Sequence, residues 1–395
     1  MNGKIKVLFI SAWYPHRYDL MSGLFVRKHA EAVNLYCNAA VLYVHPDENI
    51  DAFEIIEQKH NGLREVIVYY PVNTKNIFYK IFKAITYIRA YRKGYKYITK
   101  GGFFPDIVHA NILTRTGVMA YLLKMFKGIP YVITEHWSRY LPNRSEYNGY
   151  IRKKVTERVV AHAAAVLPVS ASLKRAMSDC RLSNPNYVVV NNVTDNFFLD
   201  KKTVYPRTKK RMLHVSCFDE RAKNISGILR TVSKLSGMRN DFELMIIGTG
   251  VDFDKVYAYA ETLGLPPDAV LFLGEKTPAE VSEWFGNSDF FVMFSNYENS
   301  PVVILESLIS GKPVVSSDVG GISEHVNDTN GILVPPEDEA ELLKSLDYML
   351  DNFRNYDPEK MKREAIEKYT CASVGKKIEA VYLQVLKKDP LSKNN

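Results

Sequence analysis

Short, nearly continuous hydrophobic runs alternate with longer amphipathic segments along the whole chain. Runs of Val, Ile and Leu of strand length are typical of parallel sheets whose strands are buried on both faces. In the first half these runs are 5–11, 39–44, 106–110, 131–136, 165–170 and 187–192. Segments 24–38, 114–126 and 150–162 repeat apolar residues at helical spacing between them. The pattern predicts a parallel sheet with crossover helices on both faces.

A polar interruption divides the chain, and the same alternation then starts again. Residues 200–210 are basic, contain one proline and have few apolar side chains, which is typical of a linker. Further strand-length runs follow at 211–217, 243–250, 269–275, 290–295, 313–321 and 331–336. The predicted organisation is an N-terminal domain 1–199, a linker 200–210, a C-terminal domain 211–370, and a terminal helix and tail 371–395 that pack back on the N-terminal domain.

The predicted fold class is therefore α/β, with two Rossmann-like, doubly wound parallel-sheet domains in tandem. Ligands of such sheets bind beyond the carboxyl ends of the strands. Two sheets that face one another would form a central cleft at the domain boundary, which is a common place for a small-molecule site.

Composition narrows the possible partners. The 395 residues include 52 Lys and Arg against 44 Asp and Glu, a net charge of +8. This modest excess fits an anionic ligand or an anionic membrane surface, and we expect no nucleic-acid partner. The four cysteines form no CxxC pair and have no histidine at close spacing, so neither a zinc site nor a disulfide is expected and a cytoplasmic location is favoured. No stretch approaches the roughly 20 apolar residues of a transmembrane helix.

The segment 295–321, SNYENSPVVILESLISGKPVVSSDVGG, contains the most informative motif. Glu298 falls in a turn after a strand, Asn299 and Ser300 are candidate helix caps, and Pro301 suits the first helical position. A helix that begins at Pro301 would direct its free amide groups towards the strand ends and form an anion site. Glu306 lies more than a turn inside that helix, so the two glutamates could contact two ends of one ligand. The alternative is that they are only capping charges.

This E-x7-E spacing, followed by a strand and a Gly-Gly turn, strongly resembles the family 4 retaining glycosyltransferases of the GT-B fold. The likeness extends over nearly the whole chain, through SAWYP with SGLFVRKHAEAV, PDIVHAN, ITEHW, NNVTDNFF and IIGTG. The resemblance implies a nucleoside diphosphate sugar bound mostly by the second domain and an acceptor bound by the first. It also implies that Glu306 accepts hydrogen bonds from ribose hydroxyls and that Glu298 touches the donor sugar.

The resemblance assigns roles to further residues. Lys223 would neutralise the diphosphate, and Arg221 could add charge, because the Gly-Arg pair usual in the family is Ser216-Cys217 here. The amides of Asn299 and Ser300 would serve the diphosphate. Gly23 and Gly250 would allow the backbone to approach the donor. His136 ends a buried strand, where it would meet the donor sugar or have a backbone role near the reacting carbon. The alternatives are a solvated surface position for Lys223 or Arg221 and a hydrogen-bonded core position for His136.

No metal or other cofactor is expected beside a UDP-sugar or GDP-sugar substrate. Asp252 and Asp254 match the DxD pattern of metal-dependent glycosyltransferases of another fold, but Asp252 stands where a helix cap is expected. Gly248 and Gly250 resemble part of a dinucleotide fingerprint whose third glycine is replaced by Phe253. The resemblance thus implies His136, Glu298 and Lys223 as the catalytic residues.

A basic segment lies between residues 66 and 105, which contain no Asp or Glu. Within 75–100, isoleucines recur at helical spacing among tyrosines, lysines and arginines, at positions 77, 81, 85 and 88. An amphipathic helix of this kind can lie on an anionic membrane surface. Alternatively, the isoleucines face the sheet of the first domain and the charges are solvated.

The function expected is transfer of a sugar, with retention at the anomeric carbon, from a nucleoside diphosphate sugar to a hydroxyl of a glycan or lipid-linked acceptor. The location expected is the cytoplasm or, peripherally, the inner face of the plasma membrane. Two alternatives remain: a catalytically silent nucleotide or glycan binder, for which Cys217 in place of arginine is the hint, and an epimerase or phosphorylase on the same fold.

Overall fold

The computed structural model describes residues 3–72, 79–113, 115–142, 144, 146–200 and 205–388, with backbone alone for 79–82 and 388. The elements up to residue 200 are β1 (Lys6–Ser11), α1 (Leu24–Asn34), β2 (Asn38–Asp47), β3 (Glu54–His60), β4 (Leu63–Pro71), α2 (Tyr79–Lys100), β5 (Ile107–Asn111), α3 (Arg115–Lys127), β6 (Tyr131–Glu135), α4 (Tyr150–His162), β7 (Ala165–Pro168) and α5 (Ala171–Asp179).

The second series of elements follows residue 205. It comprises β8 (Lys210–Val215), α6 (Glu220–Lys223), α7 (Ile225–Ser236), β9 (Phe242–Ile247), α8 (Phe253–Glu261), β10 (Val270–Phe272), α9 (Pro278–Gly286), β11 (Phe290–Met293), α10 (Val302–Ile309), β12 (Val314–Ser317), β13 (Gly331–Val334), α11 (Glu339–Asn352), α12 (Pro358–Tyr369) and α13 (Cys371–Lys388).

The chain forms two compact units. The first unit contains 1–169, 173–193 and 371–395, and the second contains 170–172 and 194–370. After residue 193 the chain passes from the first unit to the second at Thr194, ahead of the predicted linker 200–210. A long-range contact holds Thr194 there: its amide and hydroxyl both donate to the carbonyl of Tyr369, 2.9 and 3.2 Å away.

The first unit is built on a seven-stranded sheet of order β3-β4-β2-β1-β5-β6-β7, parallel throughout except for the pairing of β3 with β4. Alternate residues of β1 point to opposite faces: Leu8 and Ile10 pack with α2 to α5, whereas Val7 and Phe9 pack with α1 and α13. Both faces are thus buried, as the continuous apolar runs predicted.

The terminal helix α13 belongs to the first unit. The hydroxyl of Tyr36 at the end of α1 donates to the carbonyl of Ala372, and Tyr382 bonds Nδ1 of His109 at 2.5 Å. Gly375 lies so close to α1 that a Cβ on it would overlap the carbonyl oxygen of Ala32. The C-terminal residues therefore complete one face of the first sheet.

The second unit contains a fully parallel six-stranded sheet of order β10-β9-β8-β11-β12-β13. Hydrophobic cores lie on both of its faces. The predicted fold class, two doubly wound parallel-sheet α/β domains, is confirmed.

One strand prediction is wrong, and one hairpin was not predicted. Segment 187–192 is not a regular strand but extended chain beside β7, where the amides of Val188 and Val190 donate to the carbonyls of Val166 and Pro168. Pro168 has no N–H to return, which interrupts the ladder. Conversely, sequence analysis missed the hairpin β3–β4, whose two-residue turn, Asn61-Gly62, has positive φ at both positions.

Helix α2 packs on the sheet mainly through small and aromatic residues. The alternative that the predicted isoleucines face the sheet is wrong for residues 85 and 88. The packed face contains Tyr87, Ala90, Tyr91, Gly94 and Ile98. Ile85 and Ile88 lie on the other face and are 43% and 41% exposed. They share that face with exposed Arg89, Arg92 and Lys96. Residue 77 and the side chain of residue 81 lie outside the described residues.

Candidate functional site

Four loops of the second unit leave the carboxyl ends of neighbouring strands and meet at one edge of the sheet. They follow β8, β9, β11 and β12, at residues 216–219, 248–252, 294–301 and 318–321. Because the carboxyl ends of parallel strands share one edge, these loops bring together residues far apart in the chain. Of the residues predicted to act on the donor, this edge contains Lys223, Arg221, Gly250, Glu298, Asn299, Ser300 and Glu306, whereas Gly23 and His136 belong to the first unit.

Lys223 and Glu298 form an ion pair at this edge. The Nζ of Lys223 lies 2.5 Å from Oε1 of Glu298, and the hydroxyl of Ser295 donates to the same oxygen at 3.1 Å. Burial by itself lowers the pKa of the Lys223 ammonium, but the carboxylate of Glu298 more than offsets this effect and the pKa is raised. Lys223 is therefore charged at neutral pH. The surface-lysine alternative is wrong, since only 16% of this side chain is exposed.

Backbone and amide hydrogen bonds fix α6 against the Glu298 loop. The amide of Asn296 donates to the carbonyl of Ala222 at 2.8 Å, and its side-chain Nδ2 donates to the carbonyl of Arg221 at 3.0 Å. The side chain of Arg221 is exposed. The position of Lys223 relative to Glu298 is thus set by the backbone, while Arg221 is placed at the same edge with its charge in solvent.

Asn299 and Ser300 are buried and do not cap the helix, so the predicted capping roles are wrong. Oδ1 of Asn299 accepts from the hydroxyl of Ser170, and Oγ of Ser300 bonds Nε2 of His325. The N-cap residue of α10 is instead Pro301, which makes no side-chain capping hydrogen bond. Helix α10 accordingly begins at Val302, one residue later than predicted.

The Gly-Gly turn after β12 lies directly on the Glu298 loop. The amide of Gly321 donates to the carbonyl of Asn299 at 2.9 Å. A Cβ on Gly320, whose φ is +62°, would overlap the carbonyl oxygen of Glu298. The double glycine therefore allows two loops to touch through their backbones and holds Glu298 in place.

Replacing Gly320 by Ala is expected to lower both stability and turnover. The left-handed backbone costs an L-residue about 1–2 kcal/mol, and the clash with Glu298 adds to it. Gly264 is a matched control, since its φ of +61° is nearly the same but a Cβ there meets nothing within 4 Å. Thermal unfolding should show a larger loss for Gly320→Ala than for Gly264→Ala, and only Gly320→Ala should slow turnover. Equal losses would mean that the contact is unimportant.

Glu306 is a half-buried residue of α10 whose carboxyl pKa is raised. Burial, assisted by the nearby Asp195 carboxylate, raises the pKa of Glu306 to about 8. At neutral pH this carboxyl is therefore mostly protonated. Perturbed carboxyl groups at a sheet edge of this kind are typical of binding sites.

Gly250 and Gly248 have a packing role in the structure. A Cβ on Gly250 would crowd the backbone of Phe218, and one on Gly248 would overlap the carbonyl oxygen of Ser216. The glycines thus bring the loop after β9 against the loop after β8. Asp252 occupies the N-cap position of α8 as predicted, but its carboxylate accepts from the amide of Glu220 in α6.

Within the first unit, His136 follows β6 and both of its ring nitrogens are buried. Phe25 and His29 pack against the imidazole, with ring centroids 4.5 and 5.1 Å away. Asn192 hydrogen-bonds the ring, but burial and the neighbouring histidines hold the pKa of His136 well below its usual value. His136 is therefore neutral at physiological pH.

Glu135, directly before His136, was missed by sequence analysis. Its buried carboxylate accepts the amides of His136 and Trp137 through one oxygen and that of Leu113 through the other, all at 2.9 Å. Burial raises the pKa of Glu135, and these amides oppose the rise. The signal was an acid at the end of an apolar strand. Glu135 fixes the backbone that carries His136.

Gly23 lies at the N-cap of α1 with φ of +61°. A Cβ there would overlap the carbonyl of Trp13. The glycine is thus required by contact between two stretches of this chain, and not, as predicted, only by room for a ligand. Among the described residues, no three His, Cys, Asp or Glu side chains are grouped as a metal site would require. The helices described also include none that is long and apolar enough to cross a bilayer.

Comparisons with known proteins agree with this architecture. Residues 40–196 match the model described as Glycosyltransferase Family 4, and residues 195–368 match Glycosyl transferases group 1. The chain is 26% identical to the N-acetyl-alpha-D-glucosaminyl L-malate synthase of Bacillus anthracis over 72% of this chain and 76% of that one. It is also 26% identical to the phosphatidyl-myo-inositol mannosyltransferase of Mycolicibacterium smegmatis over 66% of each.

A solved structure of HepE from Anabaena in complex with UDP has a similar fold. The TM-score is 0.74 at 16% identity, covering 96% of this chain and 100% of that one. Two parallel-sheet domains and these matches define a glycosyltransferase of the GT-B type. The chain belongs to the family 4 glycosyltransferases of the GT-B fold, with the Glycosyltransferase Family 4 match in its first half and the Glycosyl transferases group 1 match in its second.

Proposed function

We propose that this glycosyltransferase moves a sugar from a nucleoside diphosphate sugar to a hydroxyl of a glycan or lipid-linked acceptor, with retention at the anomeric carbon. The observation that carries the proposal is the Lys223–Glu298 pair beside α10 and Glu306 at the carboxyl edge of the second sheet. A cation, a helix start and two carboxyl groups match a ligand with a diphosphate and several hydroxyls. UDP in the HepE structure is consistent with this donor class.

Each of these residues of the second unit then has a role in the reaction. Lys223 and the first amides of α10 stabilise the negative charge that develops on the diphosphate as the sugar bond breaks. Glu306 accepts hydrogen bonds from the ribose hydroxyls, and Glu298 orients the donor sugar. The acceptor oxygen forms its bond on the face from which the diphosphate departs, and an oxygen of the departing phosphate takes the acceptor proton. The protein acts by positioning and electrostatics.

In the first unit, His136 is proposed to act near the reacting carbon of the donor sugar through its backbone, because both nitrogens of its neutral imidazole are buried. Its low pKa excludes a role as a cation at neutral pH. Glu135 would act on the same ligand only through the backbone that it holds.

A donor panel tests this function. The full chain is incubated with UDP-, GDP- and ADP-sugars, with and without a chelator, and products are identified by mass spectrometry and anomeric NMR. Nucleotide release with transfer of the sugar to an acceptor or to water, in the α configuration from an α-linked donor, is the expected result, and it should survive the chelator. Isomerised donor without transfer would indicate an epimerase, and no turnover with any donor would indicate a silent binder.

Nucleoside affinity is expected to rise with pH. A ribose whose hydroxyls donate to Glu306 binds the deprotonated carboxylate, so below pH 8 binding must release a proton. Affinity should therefore increase from pH 6 to 8, by at most about tenfold per pH unit, and level off above. Calorimetry with the free nucleoside avoids titration of the phosphates. Glu306→Gln should abolish the pH dependence; a dependence that persists in this variant would contradict the assignment.

Peripheral membrane binding through α2 is also proposed, on its exposed face of Ile85, Ile88 and the neighbouring cations. Binding to vesicles should increase with anionic lipid and fall with salt, because surface attraction is screened over about 10 Å at 0.1 M. Sedimentation should show that the triple variant Arg89→Glu, Arg92→Glu, Lys96→Glu no longer binds while donor hydrolysis in solution is unchanged. Unaltered vesicle binding would reject this surface.

A further inference from the structure

The first unit contains a cavity of about 930 Å³ that the roles above leave unused. Its walls come from the end of β1, the end of β2, α2, α3, the turn Ser138–Tyr140 and the start of α4. All of its lining residues belong to the first unit, and none of those predicted to bind the donor is among them. The cavity is large enough for a sugar with an attached group.

The charged residues of this first-unit cavity all have the same sign. Lys83, Arg115, Arg139 and Arg152 line it, and no Asp or Glu is found among the lining residues that the structure describes. His16 and His45 also line it, and burial lowers the pKa of both, to about 4 for His45, so they add no charge at neutral pH. The cavity is therefore a cationic site with neutral walls.

Arg139 is the deepest of these cations and is only 3% exposed. Its guanidinium lies 3.2 Å from the ring centroid of Trp137, and Nη2 donates to the carbonyl of Leu113 at 3.2 Å. Its Nε–H is buried and has no acceptor within the described parts of the chain. The nearby Glu135 carboxylate is occupied by three backbone amides. A buried guanidinium without a bonded carboxylate is costly, and an anionic ligand would compensate it.

The remaining walls suit a ring or an apolar group. Trp13, Tyr43, Tyr70, Tyr87 and Trp137 supply aromatic faces. Ile88 and Val155, each 41% exposed, lie at the rim. Aromatic faces stack on sugar rings or apolar chains but have no group that binds an anion. The arginines must therefore decide the electrostatic class of the ligand.

We propose that this cavity binds the acceptor and that the acceptor is an anion, whose phosphate or carboxylate group is bound by Arg139, with Arg115 and Arg152 contributing nearer the exposed side. The inference rests on the proposed transferase function, to which it adds the chemical class of the acceptor. The anionic group could belong to a soluble sugar phosphate or to a lipid phosphate, and the two differ in whether the apolar rim contributes.

Calorimetry on the full chain tests the proposal with glucose 6-phosphate, farnesyl diphosphate and, as the neutral comparison, glucose. We expect the anionic probes to bind and to lose at least tenfold in affinity in Arg139→Gln and in Arg152→Gln. Arg152 is exposed, so its variant tests the site even if Arg139→Gln does not fold. Arg158→Gln is the matched control, an exposed arginine of α4 that bonds Tyr121 and does not line the cavity.

The probes could also bind the donor site, and Lys223→Ala separates the two sites. Probe affinity unchanged in Lys223→Ala but lost in the Arg139 and Arg152 variants supports the cavity. Affinity lost only in Lys223→Ala, or equal binding of glucose and glucose 6-phosphate, overturns it. Stronger binding of farnesyl diphosphate than of glucose 6-phosphate, weakened by Ile88→Ser, assigns a lipid source; the reverse order assigns a soluble acceptor.

Failure of this inference and failure of the proposed function give different results. Sugar transfer in the donor panel without arginine-dependent binding of anions would reject the anionic acceptor and leave the transferase intact. Arginine-dependent binding of anions without turnover on any donor would reject the transferase and leave an anion site in the first unit.

Discussion

Glu298→Gln is expected to reduce turnover by about 100-fold or more without weakening nucleoside diphosphate binding. The wild-type carboxylate accepts from Lys223 and Ser295 in the free protein. A neutral amide of the same shape preserves the loop but removes the charge proposed to orient the donor sugar. Because Gln no longer holds the Lys223 ammonium, the lysine is more available to the diphosphate. Affinity for the diphosphate should therefore stay constant or increase.

Steady-state kinetics with the donor found in the panel, and calorimetry with its nucleoside diphosphate, measure the two effects separately. Glu261→Gln is a suitable control, since Glu261 is an exposed residue at the end of α8 in the same unit. Near-normal turnover in Glu298→Gln, or a loss of nucleotide affinity there instead of at Glu306, would overturn the assignment of the two glutamates.

Lys223→Ala is expected to weaken binding of the nucleoside diphosphate by about 10- to 100-fold while leaving the free nucleoside nearly unaffected. A charge-assisted hydrogen bond contributes roughly 1.5–3 kcal/mol. The variant also leaves Glu298, with 11% of its side chain exposed, without its ammonium partner. The uncompensated carboxylate would then repel the incoming diphosphate, which increases the loss.

The double variant Lys223→Ala, Glu298→Gln distinguishes these two contributions. If repulsion from Glu298 is part of the loss, the double variant should bind the diphosphate more tightly than Lys223→Ala alone, and thermal unfolding should show partial recovery of stability. Equal weakening of nucleoside and nucleoside diphosphate in Lys223→Ala would place the lysine away from the phosphates and contradict the proposed role.

Most strands were predictable from local pattern, including the edge strands β7, β10 and β13, but the hairpin β3–β4 was not. Strands buried on both faces are continuous apolar runs, and apart from β4 they were recognised in both halves of the chain. In this hairpin, β3 is an edge strand whose sequence Glu-Ile-Ile-Glu-Gln-Lys-His has no buried residue, so it lacks a continuous apolar run. Strand β4 has such a run and was nevertheless missed. The Asn61-Gly62 pair between them is typical of a two-residue hairpin turn and would have indicated the hairpin.

The sequence predicted which residues form the candidate site, but only some of the contacts that these residues make. The E-x7-E motif located Glu298 and Glu306 at the same loop and helix, and the position of Lys223 after the first strand of the second sheet placed it at the same edge. The contacts depended on residues far away in the sequence: Ser170 donates to Asn299, and His325 bonds Ser300. The N-cap position of α10 is taken by Pro301.

The amino-acid sequence by itself determined the two α/β units, the helix after β11 and the family, because apolar periodicity and motif spacing are local properties of the chain. The tertiary structure determined the features that depend on contacts between residues distant in the sequence. Packing aligned Lys223 with Glu298 across 75 residues and raised the pKa of Glu306 to about 8. It also buried Arg139 in a cationic cavity whose lining is drawn from residues 11–156. Desolvation and charge pairing depend on which distant atoms surround a group, and only the folded chain specifies them.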